Sequence, residues 1–216
     1  MTELLLALLV FLASHSIPAR PRVRQRLVDR FGHANYLIGY GLLSIVLLVW
    51  LISAAVRAPI IPLWSSGLWS WHVALAVMLP ACWLLTGGLT TANPFSVTLN
   101  TAQFDPARPG LVGLVRHPVL WGFAAWAGVH LIANGHLAAL ILFGVFLLFS
   151  LGGMALLDRR KHRQLGPGYA RLLPTGRRWT ARQLLATFGG GTALYALLLA
   201  MHPVLIGPNP GALLFP

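Results

Sequence analysis

The sequence predicts an all-α, polytopic membrane helical bundle of about six transmembrane helices with both termini extracytoplasmic, and three observations predict it. The chain is 57% hydrophobic and 9% charged, against about 25% charged in ordinary soluble proteins. Charge-free apolar runs recur along it, and about 20 apolar residues in a helix cross a hydrocarbon core of about 30 Å. Every one of the 16 lysines and arginines except Arg57 lies on alternate connections between those runs.

The first span runs from about Leu4 to Ile17. Met1 to Leu12 has the apolar centre of a secretory signal but carries Glu3 and no basic residue ahead of it, so it reads as an uncleaved span. Arg20, Arg22, Arg24, Arg26 and Arg30 form the loop that follows. A second span covers about Tyr36 to Val56, and a third about Gly67 to Gly88, with His72 and a kink expected at Pro80. No Asp, Glu, Lys or Arg occurs from His117 to Leu157, which leaves room for two spans joined by a turn at Asn134-Gly135-His136. The sixth span, about Gln183 to Ile206, carries Gly189-Gly190-Gly191, where a neighbouring backbone is expected to approach closely. Beyond it, Gly207 to Pro216 is too proline-rich to stay helical. Basic residues are retained on the cytoplasmic side, which places the first, third and fifth loops in the cytoplasm. With no fixed-period repeat, residues 1–216 read as one integral membrane domain.

The formal charge of +12 raises the question of a nucleic-acid partner. The basic residues sit in loops between spans, so the lipid bilayer and its anionic headgroups are the partner they fit, and nucleic acid is not. The lone Cys82 excludes an intrachain disulfide and reads as packing. Nucleotide-binding glycine loops, cysteine pairs, a serine nucleophile elbow and HExxH are all missing, which sets those enzyme classes aside.

Ionisable groups in hydrocarbon cost about 2.5–3.5 kcal/mol at a helix centre on insertion scales. Histidine is cheaper because it can be neutral, and His15, His72, His117, His130 and His202 all lie in or at the ends of apolar runs. Each requires a hydrogen-bond or metal partner there. Neutral imidazoles in a water-poor bundle suit a haem iron or another transition metal. Depth restricts the pairing: His117 and His130 are roughly 20 Å apart along one helix at about 1.5 Å per residue. Two layers result, with His15 and His117 toward the cytoplasm and His72, His130 and His202 toward the outside. His33, His136 and His162 belong to loops.

Two further segments carry chemistry. Arg116-His117-Pro118 opens the fourth span, where free N–H groups and the positive dipole end suit an anion. Asp158-Arg159-Arg160-Lys161-His162-Arg163-Gln164-Leu165-Gly166, with Tyr169 downstream, reads as a basic loop in which Asp158 pairs with its neighbouring arginines.

The stretches His15-Ser16 with the arginines after it, Gly113 to Phe123, His130 to Gly135, Asp158 to Gly166 and His202-Pro203 together resemble the NnrU family of bacterial membrane proteins, which has the plastid zeta-carotene isomerase as a relative. The resemblance implies haem b, a redox or isomerase-type role with an apolar small-molecule substrate, and a link to nitrite and nitric oxide metabolism. It implies His15 and His130 as the iron ligands, whereas the depth argument pairs His15 with His117, or His130 with His72 or His202. The isomerase's cysteine three residues before its second ligand is Ala127 here. More distantly, Arg116-His117-Pro118 and the later Asp158 and Tyr169 resemble the isoprenylcysteine carboxyl methyltransferases. That likeness implies S-adenosylmethionine held by Arg116, His117, Asp158 and Tyr169, with the family's acidic pair replaced by Asp158-Arg159. A third expectation is a non-enzymatic assembly or transport partner in denitrification, whose histidines only tie helices together.

Overall fold

The structure, a computed structural model, describes residues 1–18 and 20–213. Its order is α1 (Thr2–Ser16), α2 (Pro21–Phe31), α3 (His33–Val56), α4 (Leu68–Thr90), α5 (Pro118–Ala133), α6 (Leu137–Leu165), the short α7 (Gly168–Arg171), α8 (Ala181–Leu184) and α9 (Gly190–Leu205). A π turn over Leu185–Gly189 joins the last two into one run. Among the described residues there is no strand, only an isolated bridge between Pro62 and His136. Four helical runs are long and apolar enough to cross a membrane: α3, α4, α6 and Ala181–Leu205. α1 and α5 are equally apolar but shorter, at roughly 23 Å each for a rise of about 1.5 Å per residue. The chain divides into two compact units, Met1–Leu63 with His136–Leu142, and Trp64–Gly135 with Phe143–Pro216.

In the first unit α1 buries Leu4, Ala7, Leu8 and Phe11, the i, i+3, i+4, i+7 stripe, and packs on α3, which buries Leu47, Leu51 and Ala54. The opposite faces expose Leu5, Leu6, Leu9, Leu42, Ile45, Val46 and Val49. So broad an apolar surface is unfavourable in water and is what a lipid-facing helix presents. Glu3 and Arg57 pair at 2.6 Å, and Trp50 donates to the same carboxylate at 3.3 Å. The one basic residue of the second loop is thereby neutralised.

Two segments expected as loops are helical. The arginine-rich stretch forms α2, because Arg20 is extended, Pro21 occupies the first helical position and Gly32, at φ 77°, ends the turn. The basic run from Asp158 likewise continues α6 to Leu165, ending before Gly166 at φ 50°. Its residues are good helix formers with no break among them. At 29 residues, α6 is about 43 Å long at about 1.5 Å per residue, so its basic last turns outrun the hydrocarbon. His162 therefore sits on a helix. The turn at Asn134-Gly135-His136 is present: Asn134 donates through Nδ2 to His130 O at 2.8 Å, and His136 Nδ1 accepts from Ala139 N–H at 3.3 Å. The last helix ends at Leu205, as the prolines beyond it require; residues 214–216 of that tail lie outside the described residues.

The second unit is organised on α4, against which α5 and α9 pack. Small residues make the approach close. A Cβ on Gly88 would lie 2.9 Å from the Val119 backbone nitrogen, and one on Gly122 would lie 3.0 Å from Ala81 O, so α4 and α5 run antiparallel. Of the three consecutive glycines only Gly191 behaves as expected, with a Cβ there meeting Trp83 Cα at 2.8 Å; Gly190 faces open space and Gly189 its own Leu185. Tyr195 Oη donates to Leu75 O at 3.1 Å and Trp83 Nε1 to Thr192 Oγ1 at 3.1 Å, pinning α9 antiparallel to α4. Pro80 lies inside α4.

Gly88→Ala forces backbone to move, and overpacking of this kind costs about 1–3 kcal/mol. Thermal unfolding in detergent is expected to show a clear drop in Tm for Gly88→Ala and none for Gly39→Ala, where a Cβ would meet nothing within 4 Å.

Candidate functional site

At the N-terminal end of α5 the chain gathers three of the expected site residues. His117 is the N-cap and is 4% exposed. Arg116 Nη1 lies 3.2 and 3.3 Å from the two Asp158 carboxylate oxygens, and His117 Nε2 lies 3.1 Å from Asp158 Oδ1. Asp158 therefore reaches from α6 to both residues of the Arg-His pair, and not to its sequence neighbours Arg159 and Arg160. The expected local ion pairs are corrected in this way because α6 is helical there, and adjacent residues on a helix point in different directions.

Tyr169, the fourth residue of this group, packs in the layer beside it. Phe95, Val112 and Tyr169 form a buried cluster. Arg116 Cζ sits 6.0 Å over the Phe95 ring, and Phe95 meets Tyr169 edge to face at 5.1 Å. His162 stacks on Tyr169 at 3.7 Å between centroids. Asn93 fixes the backbone: its Nδ2 donates to Arg116 O at 3.0 Å, while its Oδ1 accepts from Phe95 N–H at 2.9 Å and Ser96 N–H at 3.2 Å. Sequence reasoning missed Asn93, Phe95 and His162. Only the Asn-Pro-Phe turn signal over 93–95 offered a hint.

The electrostatics follow from burial. Burial pushes the His117 imidazole below its ordinary 6.5, and the Asp158 carboxylate pulls the other way without overcoming it. A carboxylate only accepts, so Nε2 carries the proton and the Nδ1 lone pair faces inward, buried and without a partner. The Tyr169 hydroxyl is also buried and unpartnered. Two orphaned polar atoms of this kind, beside a guanidinium, suit a polar ligand.

The histidines of the apolar helices are arranged differently. His15 Nδ1 lies 2.8 Å from Phe11 O, His72 Nδ1 3.0 Å from Leu68 O, His130 Nδ1 2.8 Å from Trp126 O, and His202 Nδ1 2.8 Å from Pro208 O. A carbonyl only accepts, so in each ring Nδ1 bears the proton and Nε2 carries the lone pair. His15 belongs to the first unit, stacked on Phe11 at 4.2 Å and edge-on to Tyr40 at 5.7 Å. The other three belong to the second, and its antiparallel helices set them at one end, with His117 at the other. His130 is flanked by Trp126 and Phe143 at 5.6 and 5.1 Å. Among the described residues no three His, Cys, Asp or Glu side chains converge as a metal site.

The chain matches the family described as NnrU protein over residues 3–210. No curated protein and no solved structure matches it.

Asp158→Asn removes a charge-assisted hydrogen bond to a buried ring, an interaction worth about 1.5–3 kcal/mol. Its Tm is expected to fall, and NMR titration is expected to find His117 protonating at lower pH than in the wild type, since the carboxylate's upward pull is gone. In the wild type the folded imidazole is the weaker base. The stability that neutral His117 contributes is thus complete above about pH 6.5 and declines as pH drops toward the depressed value.

Proposed function

The chain belongs to the NnrU family, and from that premise we propose that it is a haem b-binding protein of the bacterial inner membrane, threaded six times with both termini outside the cytoplasm. One observation carries this reading. Histidines in the apolar helices hold Nδ1–H against a main-chain carbonyl and leave Nε2 free, the arrangement that fixes ring orientation and raises basicity in metal-ligating histidines. These donors fit haem iron. His15 and His130 are the ligands that family resemblance implies, and His130 with His202 or His72 is the pair the layering within the second unit favours.

When bound, haem supplies an iron that exchanges single electrons and takes small ligands. The protein's own part is to orient imidazoles, exclude water with Trp126, Phe143 and Phe146 around His130, and admit an apolar substrate from the lipid. The role is redox or isomerase-type, tied to nitrite and nitric oxide metabolism as the family resemblance suggests. Six spans are supported by six apolar helices, with α1 and α5 crossing among longer neighbours. The orientation is supported by the basic loops on one side and by the Glu3–Arg57 pair, which offsets the one arginine left on the other.

Protein purified after expression with ample haem is expected to show a Soret band, weakened by His130→Ala and left intact by His33→Ala. A spectrum without that band, together with a Tm unmoved by added haem, would sink the reading.

The Arg116–Asp158–His117 cluster favours a second reading, a membrane methyltransferase in which S-adenosylmethionine meets these residues and Tyr169. Its carboxylate would face the guanidinium and its amino group Asp158. Titration calorimetry with S-adenosylmethionine is expected to give heat that Arg116→Gln abolishes; a flat titration of the wild type ends this alternative.

A further inference from the structure

The second unit contains a half-open cavity of about 280 Å³ that none of Arg116, His117, Asp158 and Tyr169 lines. Phe104, which does line it, meets Phe95 edge to face at 6.2 Å, so an aromatic pair stands between the cavity and the Asp158 cluster. Its wall is mixed, and its polar side chains include Asn100, Gln103, Asp105, Arg108 and Arg182. Main-chain bonds hold the rim in shape: Thr175 N–H donates to Pro106 O at 2.9 Å and Gly110 N–H to Arg178 O at 3.2 Å. Gln183 Nε2 adds a bond to Arg108 O at 3.2 Å, and a capping box with Thr180 fixes Gln183 itself. A cavity framed this way exists before any ligand arrives.

Much of the wall's hydrogen-bonding capacity is already spent. Asn100 serves Thr90 O and Ala102 N–H, and Asp105 serves Ala107 N–H and Arg108 Nε. The capacity that remains is cationic. Arg182 has no acidic partner among the described residues, and Arg108 gives only Nε to Asp105, at 2.9 Å. Two guanidinium groups against one carboxylate leave the cavity net positive. Next to the lining residues Asn100 and Ala186, Leu99 and Leu185 are 78% and 74% exposed.

We propose that this cavity binds a phosphate ester, its phosphate held between Arg108 and Arg182. Guanidinium groups match phosphate through paired N–H donors, and the exposed leucines give an attached acyl chain a surface to lie on. The same chemistry is offered by a soluble ester and by an anionic glycerophospholipid, and the test separates them. It does not rest on the haem reading.

Full-length protein in detergent is titrated with glycerol 3-phosphate, with glycerol as control, following Tm. Native mass spectrometry is run on protein released from nanodiscs of equal phosphatidylglycerol and phosphatidylcholine. The ester is expected to raise Tm where glycerol does not, with half-saturation about tenfold or more higher in Arg182→Gln, the loss typical of one charge-assisted contact. Arg108→Gln serves as the second variant should Arg182→Gln fail to fold. Asp105→Asn, which removes the opposing charge, is expected to bind as well or better, an outcome that mere damage to the cavity does not produce. Retention of phosphatidylglycerol over phosphatidylcholine, lost in the arginine variant, assigns the lipid; equal retention alongside a Tm response assigns the soluble ester. Absence of both responses overturns the proposal, as does a wild-type response in both arginine variants or weaker binding in Asp105→Asn.

Discussion

A charge is expensive in hydrocarbon, and the ion pairs of this chain are placed accordingly. Glu3 with Arg57 lies at the start of α1 and the end of α3, Asp105 with Arg108 in a connection, and Arg116 with Asp158 where α5 begins and α6 leaves its apolar stretch. Along their apolar stretches the helices rely mainly on leucine, glycine and main-chain hydrogen bonds, with a few side-chain bonds such as those of Trp83 and Tyr195. The same economy decides which polar groups remain inside. They are hydroxyls bonded back one turn, such as Ser44 to Tyr40 O and Ser150 to Phe146 O, and imidazoles bonded to carbonyls.

That economy yields two kinds of histidine. In the apolar interior a ring has little but its own helix to bond, so Nδ1–H turns to the carbonyl four residues back in His15, His72 and His130, and Nε2 is left over. At the N-terminal end of α5 a carboxylate is within reach, and His117 bonds through Nε2 instead, leaving Nδ1. One residue type thus presents opposite nitrogens at opposite ends of α5. The two chemistries proposed for the protein divide along that line.

Apolar length made the apolar helices legible in the sequence, since a helix surrounded by water has no use for a run as free of formal charge as His117 to Leu157, though only four of them are long enough to cross a membrane. The turn at Asn134-Gly135-His136 was legible for the same reason. The helical state of the arginine-rich segment was not, because a dense run of arginines signals retention on one side of the membrane more loudly than it signals backbone shape; Pro21 and Gly32, which set the ends of α2, were the overlooked cues. Reading neighbours in sequence gave Asp158 the partners Arg159 and Arg160, while its actual partners are Arg116 and His117, which only the methyltransferase likeness had grouped with it. Asn93 and Phe95 were out of reach of pattern reasoning, since an asparagine that serves three main-chain groups looks like any other turn residue until the fold is known.

The π turn at Leu185–Gly189 carries one more residue than an α-helical turn would. It sits between the part of the chain that caps the cavity, Thr180 and Gln183, and the part that packs on α4, from Gly191 onward. The extra residue acts as a phase shifter between two partners that could not both be met by a regular helix. A chain shortened by one residue there would keep its length of apolar surface yet swing the capping end by about 100° around the axis. Gln183 would then be carried away from Arg108 and Gly110, so this insertion couples the packing of α9 to the shape of a water-facing hollow.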